Sequence, residues 1–243
     1  MSRLTGSSIP NVTIEAIARS LFKEAINYGF KQVDLLRFVN IILDMSFRNG
    51  DHLIRIDKAP LIYDRRKKMT FPLIGDRIKV RACFEKEDKP LFEKWFSDSD
   101  GRHFLISRIT AKTTDLDVLL KSDDNILGVI TLNYNVHNNG EIPIGLLAFF
   151  DYDRIQRKAE LRKLIGEPEH RGKGLAKEAT KLWIQFGISA LGLKKIYLNT
   201  LETNIRNIIL NEELGFKVEG ILRNECFFDG KYHDVLKMSY LVE

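Results

Sequence analysis

The sequence predicts an α+β fold in which a mixed, mostly antiparallel central sheet is flanked by helices and preceded by an N-terminal helical appendage. Three observations support this fold class. Residues 13–47 have apolar positions at helical spacing, residues 78–165 contain short strand segments, and residues 175–241 contain a helix, a strand, a second helix and a final strand pair. With 243 residues, 44% of them hydrophobic, the chain can form one core of ordinary size and a smaller appendage.

Two amphipathic helices are expected in the N-terminal part. Apolar residues form one stripe within residues 13–28, Gly29 interrupts the pattern, and a second stripe covers residues 35–47. Two short helices cannot bury their apolar faces by themselves. We therefore expect this hairpin to dock on the main domain, on a second copy of the chain in a homodimer, or on another protein.

A basic segment follows the hairpin and precedes the predicted domain boundary. It contains Lys58, Arg65, Arg66, Lys67, Lys68, Arg77, Lys79 and Arg81. A solvated linker is the simpler interpretation, and a site for an anionic substrate or for nucleotide phosphates is the alternative. The predicted domains are a helical hairpin with a basic linker in residues 1–70 and a main domain in residues 71–243.

The main domain begins with strand patterns. Residues 78–81 alternate as a first strand, a helix with acidic residues in its first turn begins near Glu87, and apolar strands are predicted at 126–132 and 144–150. Trp95 lies in the predicted helix, and we expect it in the core rather than in a ligand site.

The most informative stretch is the glycine-containing segment in residues 166–176. A strand is predicted before it, at residues 161–165, and residues 175–186 after it show helical spacing. The glycines therefore lie at a strand-to-helix turn, where unpaired backbone N–H groups and the positive end of the helix dipole favour a phosphate. Arg171 and Lys173 add positive charge at the same point.

The spacing of this segment, Arg171-x-x-Gly174-x-Ala176, differs from that of a P-loop because no Gly-Lys-Ser/Thr closes it. It resembles the acyl-CoA signature of the GNAT N-acetyltransferases. The order of segments over residues 159–241 is similar to that of the RimJ/RimL-like branch of the superfamily, which also contains polyamine and amino-sugar acetyltransferases. Weaker similarity extends back to about residue 74.

The resemblance implies an N-acetyltransferase that uses acetyl-CoA as co-substrate. In this family the acetyl group moves to a primary amine, such as a protein N-terminus, an amino sugar or another small amine, by direct attack. The family fold implies a separation of the strands at residues 160–165 and 196–201, where the pantetheine arm of CoA lies like an additional strand. The alternative is a non-catalytic acyl-CoA-binding or regulatory module.

The resemblance also assigns CoA contacts to individual residues. Backbone groups of Leu164 and Ile165 are expected to bind the pantetheine amides, and Asn204 is expected to bond the pantetheine arm or to cap a helix. The residues expected around the pyrophosphate are Arg171, Gly172, Lys173, Gly174, Leu175 and Ala176.

The sequence departs from the family at Asn211, where many relatives have a tyrosine that offers a proton to the departing CoA thiolate. Asparagine cannot act as a phenol acid, although it can hydrogen-bond the sulfur or an ordered water. Asn211 is therefore kept as a CoA-binding candidate. The departure weakens the case for efficient turnover more than the case for CoA binding.

Glu160 is the candidate catalytic base. An alkylammonium group has a pKa of about 10, so a base or a water chain must remove its proton before attack. Glu160 lies at the start of the strand before the loop, where relatives often carry an acid. Strand alternation places Glu160, Arg162 and Leu164 on one face, so pairing of Arg162 with a neighbouring acid would make Glu160 structural instead.

The acceptor amine is less well defined by the sequence. Tyr232 and His233 match a recurrent element between the last two strands of this branch, and they are the candidate substrate contacts. The preceding Asp229-Gly230 predicts a hairpin turn. Acidic residues in the middle of the chain would favour a polycation; they are Asp98, Asp100, Asp115, Asp117, Asp123 and Asp124.

The charge and cysteine content exclude several other classes. A net charge of +5, spread along the chain, suits a polyanionic co-substrate but lacks the dense basic face of a nucleic-acid-binding protein. Cys83 and Cys226 show no zinc spacing and lie outside the matched motifs, which argues against a metal site and a covalent acetyl-cysteine route. No apolar run approaches the roughly 20 residues of a membrane span, so we expect a cytoplasmic protein.

Overall fold

In the computed structural model, the structure describes residues 11–30, 34–35, 38–39, 42, 69–98, 116–133, 141–228 and 230–242. The chain divides into two units, Met1–Asp57 and Lys58–Glu243. The predicted boundary near residue 71 stays a prediction. No helix within the described ranges has the length and apolar character needed to cross a bilayer.

The N-terminal unit contains the first predicted helix. Helix α1 spans Asn11–Asn27, and Gly29 follows it with a φ of 81°, a left-handed conformation that glycine adopts without strain. The predicted helix and its glycine break are therefore confirmed. The second predicted helix is described only at residues 34–35, 38–39 and 42, which are helical, and the remainder of it lies outside the described residues.

The second unit is built on a mixed sheet of eight described strands. Their order is β1-β2-β3-β4-β5-β6-β8-β7, and all neighbours are antiparallel except β5 and β6, which are parallel. The strands are β1 (Leu73–Ile74), β2 (Ile78–Ala82), β3 (Ile126–Leu132), β4 (Pro143–Asp153), β5 (Lys158–Ile165), β6 (Lys195–Leu201), β7 (Lys217–Phe228) and β8 (Lys231–Leu241). The predicted mixed, mostly antiparallel sheet is confirmed.

The described helices of this unit are α2 (Glu85–Ser97), α3 (Leu116–Lys121), α4 (Leu175–Ser189) and α5 (Ile205–Glu213), with a 3-10 turn at Pro168–His170. Helices α2, α4 and α5 lie in segments where the sequence predicts helical structure, but α2 begins two residues earlier than predicted. The two-residue strand β1 has no sequence pattern of its own. It forms because residues 73 and 74 pair with residues 80 and 79 of β2.

Alternation along the strands divides the core between the two faces of the sheet. On one face, Phe92 and Trp95 of α2 pack with Leu146 and Leu164 of the sheet. On the other face, Trp183 of α4 stacks on Phe149 with ring centroids 5.2 Å apart. Trp95 is 1% exposed, which confirms its predicted place in the core.

The parallel strands β5 and β6 separate before they end. They pair only at Lys158, Ala159 and Glu160, which oppose Lys195, Ile196 and Tyr197. Strand β5 continues to Ile165 along β4, and β6 continues to Leu201 along β8. The expected separation of these two strands is confirmed, and it leaves the facing edges of residues 161–165 and 198–201 unpaired with each other.

Candidate active site

A cavity of about 660 Å³ occupies the space between the separated strands. Its walls are formed by residues 161–165 of β5, residues 198–201 of β6, residues 170–172 and 174–177 at the start of α4, and six residues of the α5 segment, namely Asn204, Arg206, Asn207, Ile209, Leu210 and Glu213. The glycine-containing loop and the strand separation therefore belong to one site.

The loop ends in two left-handed glycines. Gly172 has a φ of 73° and Gly174 a φ of 77°, conformations that a side chain would disfavour. Gly174 is the N-cap of α4 and, having no side chain, cannot bond the first N–H groups of the helix. Because the first turn of a helix has no intrahelical partners for its N–H groups, this end of the cavity presents donors to an anion.

The side chain of Arg171 braces the loop. Its Nε donates to the Ile165 carbonyl at 3.0 Å, its Nη2 donates to the Gly166 carbonyl at 3.0 Å, and the same Nη2 lies 2.6 Å from Asp98 Oδ2. The guanidinium therefore holds the end of β5 against the loop. Its charge is partly neutralised by Asp98, so the backbone donors are left as the main anion-binding groups.

A second set of contacts fixes the loop against α2. The side chain of Glu167 lies 2.9 Å from Trp95 Nε1 and 2.7 Å from Lys94 Nζ. The Lys94 ammonium and then the Trp95 indole lower the pKa of Glu167. Gly166 packs so closely on the Trp95 ring that a Cβ there would collide with it. Glu167 is thus a structural acid of the loop.

On the outer side of the loop, Arg77 joins β2 to α4. Its Nη1 donates to the Lys173 carbonyl at 2.9 Å, and its Nε lies 2.8 Å from Glu178 Oε2. Lys173 was predicted to contribute charge to the pyrophosphate site. In the structure its carbonyl is held by Arg77, while Leu175 and Ala176 of the same predicted loop line the cavity.

Asn204 caps α5 at the wall of the cavity. Its Oδ1 accepts a hydrogen bond from the Asn207 backbone N–H at 3.2 Å. The Asn207 side chain in turn donates to Thr200 Oγ1 at 3.1 Å, which ties the start of α5 to the end of β6. The predicted capping role of Asn204 is confirmed, and the residue also lines the cavity, so a contact with the pantetheine arm stays a prediction.

Glu160 is buried, with 2% of its surface exposed, and lies in an ion pair. Its Oε1 lies 2.7 Å from Arg162 Nη2 and accepts a hydrogen bond from Asn199 Nδ2 at 2.8 Å. Arg162 lines the cavity, whereas Glu160 is outside the described lining. The pairing with Arg162 is the one that would make Glu160 structural, and its role as a base stays a prediction.

Asn211 is fully buried behind the cavity wall. Its Oδ1 accepts a hydrogen bond from the ammonium of Lys163, which does line the cavity. The Asn211 Nδ2 has no hydrogen-bond partner among the described residues. Lys163 therefore lies between Asn211 and the cavity, and the side chain nearest a bound ligand at this point is the lysine.

Lys163 is the main residue that the sequence analysis missed. Burial first, and the neighbouring Arg162 charge second, lower the pKa of Lys163 to about 7. The alternation that grouped Glu160 with Arg162 also places Lys163 on the opposite face. That pattern was the available indication, but it could not show that Asn211, 48 residues later, lies against this lysine.

The two predicted substrate residues lie at the start of β8, outside the described cavity lining. Tyr232 is exposed and packs edge-on against Phe227, with ring centroids 5.1 Å apart. His233 is buried, and its Nδ1 lies 3.6 Å from Glu202 Oε1. The antiparallel pairing of β7 and β8 confirms the predicted hairpin, while contact of either residue with substrate stays a prediction.

Comparisons with known proteins agree with this geometry. Spermidine N(1)-acetyltransferase of Escherichia coli (strain K12) is 38% identical over 104 residues, which are 41% of this chain and 55% of that enzyme. The chain thus spans about half the length of that relative. An uncharacterized SPbeta prophage-derived N-acetyltransferase of Bacillus subtilis (strain 168) is 35% identical over 164 residues, which are 66% of this chain and 87% of that protein.

Among solved structures, spermidine N-acetyltransferase from Vibrio cholerae, in complex with CoA and spermine, matches with a TM-score of 0.56 and 25% identity, over 69% of this chain and 96% of that one. The acetyltransferase (GNAT) domain family matches residues 77–217, which is more than half of the chain and includes the loop, the strand separation and Asn204. The chain belongs to the GNAT acetyltransferase family.

Proposed function

We propose that the protein is an acetyl-CoA-dependent N-acetyltransferase that moves the acetyl group to a primary amine by direct attack. The observation that carries this proposal is the cavity between β5 and β6, which extends from the start of α4 to the point where the strands separate. One end offers backbone donors to a pyrophosphate, and the unpaired strand edges offer N–H and C=O groups to the amides of a pantetheine arm.

The residues present fit this co-substrate. Residues 164 and 165 pair with β4 on one side only and line the cavity, although the Ile165 carbonyl already accepts a hydrogen bond from Arg171 Nε. The left-handed glycines keep side chains away from the place where phosphates would approach the start of α4. The CoA complex of the structurally similar enzyme from Vibrio cholerae supports the same choice of ligand.

Direct attack fits the cysteines better than a covalent route. Burial raises the pKa of the Cys83 thiol to about 12, and burial followed by the charges of Glu202 and Glu225 also raises the pKa of Cys226. Both groups are thus protonated thiols at neutral pH, and a protonated thiol is a poor nucleophile. The amine itself is therefore the attacking group in the proposed reaction.

In this reaction the neutral amine nitrogen forms a bond to the thioester carbon, and the tetrahedral intermediate collapses as the C–S bond breaks. The attacking amine loses a proton. Glu160 is the predicted base, and because it lies behind Arg162 outside the described lining, transfer of that proton to Glu160 would pass through a water.

Spermidine is the first acceptor to test, because named relatives of this chain are spermidine acetyltransferases. The acid-rich middle of the chain gives this choice less support than the sequence suggested. Asp98, Asp117 and Asp124 each form an ion pair, with Arg171, Lys89 and Arg154 respectively. An amino sugar and a peptide N-terminus therefore stay in the panel of acceptors.

The test combines binding and turnover. Thermal melting is measured with and without acetyl-CoA, since a ligand that binds only the folded state raises the melting temperature. Release of free thiol is then followed with spermidine, glucosamine and a peptide with a free N-terminus. Stabilisation with thiol release supports the proposal. Stabilisation without release from any amine supports the binding module, and no stabilisation would show that the cavity does not bind CoA.

A further inference from the structure

Lys163 is one of the cationic side chains that line the cavity. It lies three residues beyond Glu160, where β5 last pairs with β6, and two residues before the strand ends at Ile165. A thioester carried by a pantetheine arm between the strands passes this position on its way from the loop to the strand separation. The ammonium of Lys163 is therefore near the path of the reacting group.

Lys163 and the predicted base lie on opposite faces of β5. Glu160 and Arg162 share the face of Leu164, which packs with α2 and α3, whereas Lys163 reaches Asn211 of α5. A thioester held between the strands thus meets Arg162 and the Glu160 pair from one side and Lys163 from the other. An amine that attacks from the first side would expel the thiolate in the neighbourhood of the second.

The surroundings of Lys163 leave its ammonium without a carboxylate partner among the described contacts. The Asn211 amide oxygen is its hydrogen-bond acceptor. The charged and titratable groups on the same cavity wall are Arg162, His170, Arg171, Lys177, Arg206 and Glu213. The one carboxylate of this set, Glu213, lies 2.6 Å from Lys177. The lysine is thus hydrogen-bonded but not electrostatically neutralised.

We propose that Lys163 donates the proton that the CoA thiolate takes up as it leaves. The C–N bond forms and the C–S bond breaks, the pair of electrons of that bond stays on sulfur, and the Lys163 ammonium transfers one proton to it. The attacking nitrogen releases one proton and the neutral lysine regains one from solvent, so the neutral amine and acetyl-CoA give the acetylated amine and CoA thiol with no net change in protons. This assignment rests on the proposed function.

The proton affinities suit this transfer. Burial and the Arg162 charge lower the pKa of Lys163 to about 7, while an ordinary cysteine-like thiol has a pKa of about 8.5. Transfer from the ammonium to the thiolate is therefore downhill. The lysine is also near half-protonation at neutral pH, where a general acid combines availability with acidity.

The experiment uses the full chain with three single substitutions. K163M keeps the length of the side chain but removes the ammonium, and K163R keeps a positive charge that does not readily give up its proton. The matched control is K158M, because Lys158 lies on the same strand, is outside the described cavity lining and bonds Gln156 Oε1. The substrates are acetyl-CoA and the panel amine that gives the fastest thiol release.

We expect K163M to lower kcat about 10- to 100-fold, the low end of general acid catalysis, because a thiolate leaves with little assistance. The KM for acetyl-CoA should change less than threefold, and K158M should match the wild type. After division by the fraction of unprotonated amine, the wild-type kcat should fall as pH rises through the pKa of Lys163. K163M should lack this fall, and K163R should stay below one-tenth of the wild-type kcat.

Two results would overturn the assignment while leaving the proposed function intact. The first is a K163M enzyme with the wild-type kcat. The second is a K163R enzyme with the wild-type kcat and no fall of kcat as pH rises, which would show that a positive charge at residue 163 suffices without proton transfer. If the wild type binds acetyl-CoA but releases no thiol with any panel amine, the proposed function and the assignment fail together. Melting of each variant separates loss of folding from loss of catalysis.

Discussion

The substitution K163M makes a prediction about stability that does not depend on any substrate. A lysine has a usual pKa of 10.5, and in the folded protein burial followed by the Arg162 charge lowers the pKa of Lys163 to about 7. Between these two pH values the unfolded chain binds more protons at this residue than the folded protein does. The contribution of Lys163 to the free energy of unfolding must therefore rise with pH across this window.

The size of the effect follows from the same two values. At 1.36 kcal/mol for each pH unit between 10.5 and about 7, the penalty for folding with a charged Lys163 reaches about 5 kcal/mol below pH 7. Over the range from pH 6 to pH 10, the part of this penalty that is relieved is about 4 kcal/mol. Loss of the hydrogen bond to Asn211 adds a cost that does not vary with pH.

The assay is urea unfolding of the wild type and K163M at pH 6, 7, 8, 9 and 10. The difference in unfolding free energy should favour K163M most at pH 6 and should shrink as pH rises, by about 4 kcal/mol in total. K158M controls for the loss of a lysine that is not buried in the cavity wall. A K163M difference that is constant with pH would refute the lowered pKa and the desolvation argument behind it.

Three further predictions concern other parts of the site. G174V should weaken CoA binding about tenfold or more in a calorimetric titration, because valine is strained at the left-handed backbone of residue 174, whose φ is 77°. The control is G192V: Gly192 has a similar φ of 68° but lies outside the described cavity lining, so this substitution should change stability but not the affinity for CoA. E160Q should lower the melting temperature, because about 3 kcal/mol is lost when the buried Arg162 no longer faces the Glu160 carboxylate. If Glu160 is also the base, the rate of E160Q relative to wild type should recover as pH rises toward the pKa of the amine, and a ratio that does not change with pH would leave Glu160 only the structural role. N211D should place a carboxylate against the Lys163 ammonium and raise the pKa of Lys163. The fall of the amine-corrected kcat with rising pH should then occur at higher pH, and a fall at the wild-type pH would show that another group titrates there.

Local chemistry explains what the sequence could predict. The loop at residues 166–176 depends on glycines that permit left-handed backbone conformations and on a helix that begins directly after them, and both are visible in neighbouring residues. Asn204 is recognisable as a helix cap for the same reason. The strand segments follow from apolar alternation, although β4 extends to Asp153, three residues beyond its apolar run.

The directions in which charged side chains point were not predictable, even where their partners are close in sequence. Arg81 belongs to a basic segment for which a solvated linker was the simpler interpretation, yet its guanidinium lies 2.7 Å from the buried carboxylate of Asp88, and this side-chain hydrogen bond raises the pKa of the arginine. Arg171 was expected to face a phosphate, but it turns inward to two carbonyls. In each case the sequence shows a charge, while the direction of the side chain depends on which acceptors the fold brings near.

Asn211 shows the same limitation in the chemistry of the site. Considered alone, an asparagine in place of the family's tyrosine indicates a missing acid and favours a binding module. In the structure this asparagine is buried behind Lys163, so the group that faces the cavity is a lysine. A neutral amide satisfies the ammonium without stabilising its charge as a carboxylate would, and the lysine therefore keeps a lowered pKa. Under the proposed assignment, the departure at Asn211 is a condition for an acidic Lys163 rather than a sign that the acid is lost.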